Sequence, residues 1–286
     1  MAASTTARAF RSDTVRLVQG LALCAPILLL FGAFVLYPLA FGVSQSLDWS
    51  SYQALFGDPI FVQSLVNTAL YVGIAVNLKL VLALLLSGLL ARPGRTVALL
   101  SMVFLLPWAV PALPGILSFR WMLNSQWGIF NHPLTRAGLA SVPWLARHDT
   151  ALGAVVVFHI WKYLPFWTLI FLAGRRAIPG ELYEAAAIDG AGPLQQFTAI
   201  TVPLLKSLYL ICTLLSTVFT LGDFTIVWLM TGGAPGDSTH VLATLAYRYT
   251  FQMGRIDWGL STFTAALPVT LALILLLMRS VRWSTT

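Results

Sequence analysis

Six apolar stretches, 17–43, 65–90, 97–117, 152–173, 204–230 and 260–278, dominate this chain of 286 residues, and each is near the length of roughly 20 residues that a helix needs to cross a bilayer. Lipid offers no partners for backbone N–H and C=O groups, so an open chain of this kind crosses as helix. The expected fold is therefore all-α and integral to a membrane, with six transmembrane helices. Composition agrees: 58% of residues are hydrophobic and 9% charged, mean hydropathy is +0.82, and soluble proteins carry about a quarter charged residues. Too few ionic groups remain to cover a water-facing surface.

The formal net charge of +7 would suit nucleic acid, but its distribution argues against that partner. The arginines stand singly or in pairs beside apolar stretches, where they encode membrane orientation. With the N-terminus inside, Arg8, Arg11, Arg16, Arg92, Arg95, Arg175, Arg176, Lys206, Arg279 and Arg282 fall on the cytoplasmic side. Arg120, Arg136, Arg147, Arg248 and Arg255 fall outside, among a similar number of aspartates. A cleaved signal peptide is the alternative for the first stretch. That apolar run exceeds the roughly 7–15 residues of a signal core, and it passes through Tyr37-Pro38 without a small-residue cleavage site. The expected division is a cytoplasmic tail 1–16, a single transmembrane domain 17–283 with a polar cytoplasmic loop 175–206, and a C-terminal cytoplasmic tail 284–286.

Trp121, Trp127, Trp144 and Trp258 lie at or near span ends, as interfacial aromatics do. Cys24 and Cys212 sit in apolar runs and read as small buried hydrophobes with no disulfide or metal role.

The polar segment between the fourth and fifth stretches carries the most specific information. Ile178-Pro179-Gly180-Glu181 opens a short helix, with proline near the first turn and acidic groups near the positive end of the dipole. Ala185, Ala186 and Ala187 keep it slim enough for a groove. Gly190 and Gly192 are expected to end it. Pro193 starts a second helix, with Phe197, Ile200 and Leu204 at helical spacing and Pro203 at the return to the bilayer. Helices of two or three turns are unstable alone in water, which favours ordering by packing and by a protein partner. An ordinary connecting loop is the other reading of these residues.

Glu184-Ala185-Ala186-x-x-Asp189-Gly190-Ala191, followed by Phe197, Ile200 and Pro203, resembles the EAA motif in membrane subunits of ATP-binding-cassette importers. Asn67-Thr68, Trp127-Gly128-Ile129-Phe130-Asn131 and Thr231-Gly232-Gly233-Ala234-Pro235 are similar, in order and spacing, to the MalF-like carbohydrate-uptake branch of the binding-protein-dependent permeases. Lys206 departs from the pattern, because family members often have a second proline there. The resemblance implies a type I importer permease in the bacterial cytoplasmic membrane, both termini cytoplasmic, moving a di- or oligosaccharide or related polyol by alternating access. It also implies that Glu181, Tyr183, Glu184, Ala185, Ala186, Ala187, Asp189, Gly190, Ala191, Phe197 and Pro203 couple to an ATPase. Its implied partners are a second, MalG-like permease, two ATPase subunits, which would bind ATP and magnesium, and an extracytoplasmic solute-binding protein. The chain itself would be non-catalytic and without a cofactor, and it carries no Gly-x-x-x-x-Gly-Lys-Ser/Thr sequence.

Lys79, Lys162 and Asp223 fall inside or near apolar stretches, where an ionised group costs about 2.5–3.5 kcal/mol on insertion scales. They are expected to line a substrate path, with either lysine available to Asp223; snorkelling or a structural ion pair is the alternative. Aromatic candidates for that path are Trp161, Tyr163, Trp167, Phe219, Phe224 and Trp228, although for most of them packing or contact with lipid is the better reading. His132, His148, His159 and His240 lack partners at zinc-ligand spacing. A permease for a non-sugar solute, an ion-coupled transporter and a membrane transferase are the rival functions. Asp223 is the one acid within a stretch, where ion coupling would place ionisable groups, and no Asp-x-x-x-Asp pair stands at a membrane face.

Overall fold

The computed structural model describes residues 19–20 and 22–284, and among these every regular element is helical. The expected tail 1–16, with Arg8, Arg11 and Arg16, lies outside the described residues. Helix α1 (Ala22–Gln45) contains a π-helical turn at Gly32–Leu36, and none of its apolar window is buried. Cys24 is accordingly exposed, unlike the expected buried thiol, whereas Cys212 is buried, and both are free. Helix α2 (Trp49–Phe56) starts at Asp48, whose carboxylate accepts the Ser50 N–H. Asp58 caps α3 (Pro59–Leu90) in the same way through the Ile60 N–H at 2.8 Å, with Pro59 in the first turn.

The centre of the molecule is α3 packed along α7 (His148–Arg176). Tyr71, Ala75, Val76, Leu80 and Ala83 from the first meet Val155, Phe158, Trp167 and Phe171 from the second. Small residues at 75 and 83 let the two backbones approach, as membrane helices require where no hydrophobic effect draws them together.

Two expected spans are broken. The stretch 97–117 becomes α4 (Arg95–Ala109) and α5 (Ala112–Met122), bent by 96°. Pro111 has no N–H to continue the ladder and holds Val110 extended, at ψ 129°. The stretch 204–230 becomes the end of α9 (Pro193–Leu221) and a separate α10 (Phe224–Met230). Gly222 closes the first, and Asp223 caps the second by accepting the Ile226 N–H at 3.2 Å. A side-chain acceptor that competes with the backbone starts a new helix here, which averaged hydropathy does not register.

Short helices α6 (His132–Arg136), α8 (Gly180–Ile188) and α11 (Leu242–Tyr247, continued by a π-helical turn Arg248–Gln252) occupy the connections. Helix α12 (Ile256–Ser284) contains the sixth expected stretch. Among the described residues, four helices are long and apolar enough to cross a membrane, or five if the bent pair is one span.

The motif residues outside the hairpin hold the connections in place. Asn67 donates to the Ser238 and His240 carbonyls, and the Thr68 hydroxyl accepts the Leu242 N–H, tying the segment after α10 to α3. Asn131, 2% exposed, bonds both the N–H and C=O of Val142 and accepts from the Trp144 indole. A Cβ at Gly128 would lie 2.4 Å from the Asn124 carbonyl oxygen, and therefore only glycine fits that turn.

Candidate functional site

The hairpin forms as its residues dictate, with three local differences. Helix α8 ends in a Schellman motif: the Ala191 N–H donates to the Ala186 carbonyl at 2.8 Å and the Gly190 N–H to that of Ala187 at 3.0 Å, with Gly190 at φ +81°. Gly192 does not share this role. It is extended and precedes α9, its N–H donating to the Gln195 side chain. Leu204, expected to pack with Phe197 and Ile200, is exposed, and Thr201 and Leu205 are buried in its place. A π-helical turn at Phe197–Thr201 inserts an extra residue and rotates the inward face by about 100°. The third difference is continuity: the second short helix expected from Pro193 runs on through Pro203 to Leu221 as one helix, α9.

Tyr183 and Ala186 face inward, whereas Glu181, Glu184, Ala185, Ala187 and Asp189 face solvent. Tyr183 Oη lies 2.9 Å from the buried Thr201 hydroxyl. Arg175, at the end of α7, donates to Ser87 Oγ, the Leu84 carbonyl and Thr201 Oγ1, and its guanidinium lies over the Phe197 ring. The membrane side of the hairpin is thereby pinned, and the opposite side presents Ile188, 87% exposed, and Leu194, 75% exposed. Neither apolar residue stood out in the sequence, because one exposed side chain per helix leaves no periodic signal.

A second cluster lies between α3, α7 and the α9–α10 break. Lys79 Nζ donates to His159 Nε2 at 2.8 Å; with that nitrogen accepting, His159 Nδ1 carries the proton and donates to Asp223 Oδ2 at 3.1 Å. Tyr71 donates to the same carboxylate oxygen at 2.7 Å. The Lys79 ammonium also stands 5.7 Å and 5.8 Å from the Tyr163 and Trp167 ring centroids. A buried ammonium persists only with such compensation, and Lys79 is 1% exposed, which removes snorkelling as its explanation. His159 and Tyr71 were not singled out as partners, since they lie 64 and 152 positions from Asp223.

Lys79, His159, Asp223, Tyr163 and Trp167 border a cavity of about 390 Å³, lined also by Trp108, Phe166, Phe219 and Phe224. Ser216 Oγ is buried at its edge without a hydrogen-bond partner. The expected path residues divide accordingly. Lys79, Tyr163, Trp167, Phe219, Asp223 and Phe224 line the cavity, whereas Trp161 packs on Phe119 and Phe158, and Trp228 on Phe224 and Tyr247. Lys162 turns away from Asp223. Its ammonium donates to the carbonyls of Pro107 and Trp108, each at 3.1 Å, and of Val110, the acceptors freed where α4 and α5 part.

In the connection after α10, His240 is 1% exposed, with its Nε2 3.5 Å from Asp237 Oδ1. Burial, and then the Arg248 charge, pull its pKa from the ordinary 6.5 down to about 4, against the opposing pull of Asp237.

Comparison with known proteins places this geometry in context. Residues 79–285 match the family described as binding-protein-dependent transport system inner membrane component. The chain is 36% identical over 200 residues to the trehalose/maltose transport system permease protein MalF of Thermococcus litoralis, covering 70% of this chain and 67% of that one. It is 34% identical over 251 residues to the sulfoquinovosyl glycerol transport system permease protein SmoG of Agrobacterium fabrum, with coverage of 83% and 82%. The xylose/arabinose import permease protein XacH of Haloferax volcanii is 34% identical over 231 residues, with coverage of 80% and 72%. In fold, the chain resembles a chain of a bacterial alginate ABC transporter solved with an alginate pentasaccharide-bound periplasmic protein. The TM-score is 0.87 at 22% identity, covering 96% of this chain and 98% of that one.

Proposed function

The chain belongs to the binding-protein-dependent transport system inner membrane component family, and from that premise we propose that it is the permease subunit of an ATP-driven carbohydrate importer working by alternating access. It pairs with a second, MalG-like permease. Two ATPase subunits bind ATP and magnesium, and an extracytoplasmic binding protein delivers the sugar. Both termini and the hairpin lie on the cytoplasmic side of the cell membrane.

One observation carries this reading: the hairpin is fixed toward the membrane by Arg175, Tyr183 and Thr201 and bare on its other side at Ile188 and Leu194. A slim alanine face flanked by two exposed apolar side chains suits a cleft in a soluble partner, and pinning lets displacement of that partner reach the spans. Sugar is favoured as cargo by relatives named for trehalose/maltose and xylose/arabinose. The cavity bordered by Lys79, Asp223, Phe219 and Phe224 serves as the path, offering donors and an acceptor for hydroxyls and ring faces for the apolar side of a pyranose.

Reconstitution of the four-subunit complex in liposomes tests the proposal. Binding protein loaded with its sugar should stimulate ATP hydrolysis and drive ATP-dependent uptake. Uptake that needs only an ion gradient, with no ATPase subunit present, would overturn it.

A further inference from the structure

Arg175 occupies the junction of three elements. It stands in the last turn of α7, reaches the cytoplasmic-facing end of α3 through the Leu84 carbonyl (3.4 Å) and Ser87 Oγ (3.3 Å), and reaches the hairpin through Thr201 Oγ1 (3.4 Å). Its Cζ lies 5.7 Å from the centre of the Phe197 ring. Ser87 and Thr201 are both fully buried, which makes these acceptors ones that bulk water does not replace. Space for the guanidinium comes from Gly88, where a Cβ would lie 3.3 Å from Arg175 Cζ and Nη2. Arg176, the next residue, is exposed and serves as the matched comparison of equal charge.

Resting on the importer reading, we propose that Arg175 is a positioning residue that ties the hairpin to α3, so that displacement of the hairpin by its ATPase is passed to the helix carrying Tyr71 and Lys79. The planar, five-donor fork is suited to this. It addresses two helices at once in fixed directions, whereas a lysine's ammonium presents its three donors from one freely rotating point. Lys79 lies eight positions before Ser87, about 12 Å along a helix that rises 1.5 Å per residue, and a rigid α3 therefore carries a shift at Ser87 to the cavity wall.

The test uses the full complex, with Cys24 and Cys212 replaced by serine and spin labels placed at exposed Leu89 on α3 and exposed Thr198 on the hairpin. Distances are measured without nucleotide and after trapping with ATP and vanadate. The wild type should give one narrow separation in both states. Arg175→Ala should broaden it and let it shift on trapping while the ATPase stays bound; Arg175→Lys should fall between, and Arg176→Ala should match the wild type. Thr201→Val, which keeps the arginine and removes one acceptor, should broaden the separation less than Arg175→Ala does, and it carries the comparison if Arg175→Ala fails to insert. A separation in Arg175→Ala, or in Thr201→Val where that variant stands in for it, as narrow as the wild type in both states would overturn the tether. Failure of the wild-type chain to hold any ATPase would overturn the importer reading instead, and the nucleotide-free comparison would still decide the role of Arg175.

Discussion

Asp223 performs two tasks with its two oxygens: Oδ1 accepts the Ile226 N–H that starts α10, and Oδ2 accepts from Tyr71 and His159. Replacing it by alanine removes a cap worth about 1 kcal/mol and, with Tyr71 Oη and His159 Nδ1 2.7 Å apart and able to bond each other, leaves one of these two donors unsatisfied at about 1–3 kcal/mol. Asp223→Ala is expected to reduce uptake by roughly tenfold, the effect of losing one charge-assisted hydrogen bond of about 1.5 kcal/mol to the cargo, with the chain still inserted and assembled. Asp223→Asn, which keeps the cap, should lose less. Normal uptake by the alanine variant, measured beside assembly, would exclude Asp223 from the path. His240 gives a pH prediction of definite sign. Its folded pKa of about 4 lies below the ordinary 6.5, and the unfolded segment therefore binds the proton more readily. Stability is full above about pH 6.5 and declines as pH falls toward 4. Amide exchange across 231–240, corrected for its intrinsic rate, should accelerate at pH 5 relative to pH 7, and His240→Gln should flatten that difference; an unchanged profile in the variant would exclude this histidine as the source.

At the scale of elements, the hairpin was legible nearly to the residue, because its signals are local: proline at the start, alanine within and Gly190 at the stop. What escaped was the π-helical turn at Phe197–Thr201, which moved the buried position from Leu204 to Leu205. Of the six stretches read from hydropathy, four form helices long and apolar enough to cross a membrane among the described residues, or five with the bent pair, and the interruptions at Val110–Pro111 and Gly222–Asp223 were not legible, because there one or two residues outweigh twenty that average well. Least legible was the polar cluster, since its members come from three elements and meet only once α3 and α7 are packed. Lys162 illustrates the gap: a lysine in an apolar stretch suggests a carboxylate partner, yet its acceptors are backbone carbonyls exposed by the break between α4 and α5. Gly190→Asp belongs to this scale. A non-glycine residue at φ +81° costs about 1–2 kcal/mol, and an added carboxylate would obstruct a docked surface. The variant should insert normally and lose its ATPase, as read by co-purification; wild-type transport in it would remove the hairpin's assigned role.

For the whole molecule, orientation is the decisive quantity, since every role given to the hairpin requires it to face the cytoplasm. With Cys24 and Cys212 replaced, Ile188→Cys should resist a membrane-impermeant thiol reagent in right-side-out vesicles and react in inverted ones. Reaction in the first case would place the hairpin on the wrong face and end the coupling proposal. Helix α1 bears on the same scale, because none of its apolar window is buried among the described residues. Such a helix is stable only against hydrocarbon or against a neighbour's flank. Its side chains are free to exchange with one another in evolution yet closed to any charge, and purification of the subunit by itself would leave a full membrane thickness of greasy surface to be satisfied by detergent or by a companion.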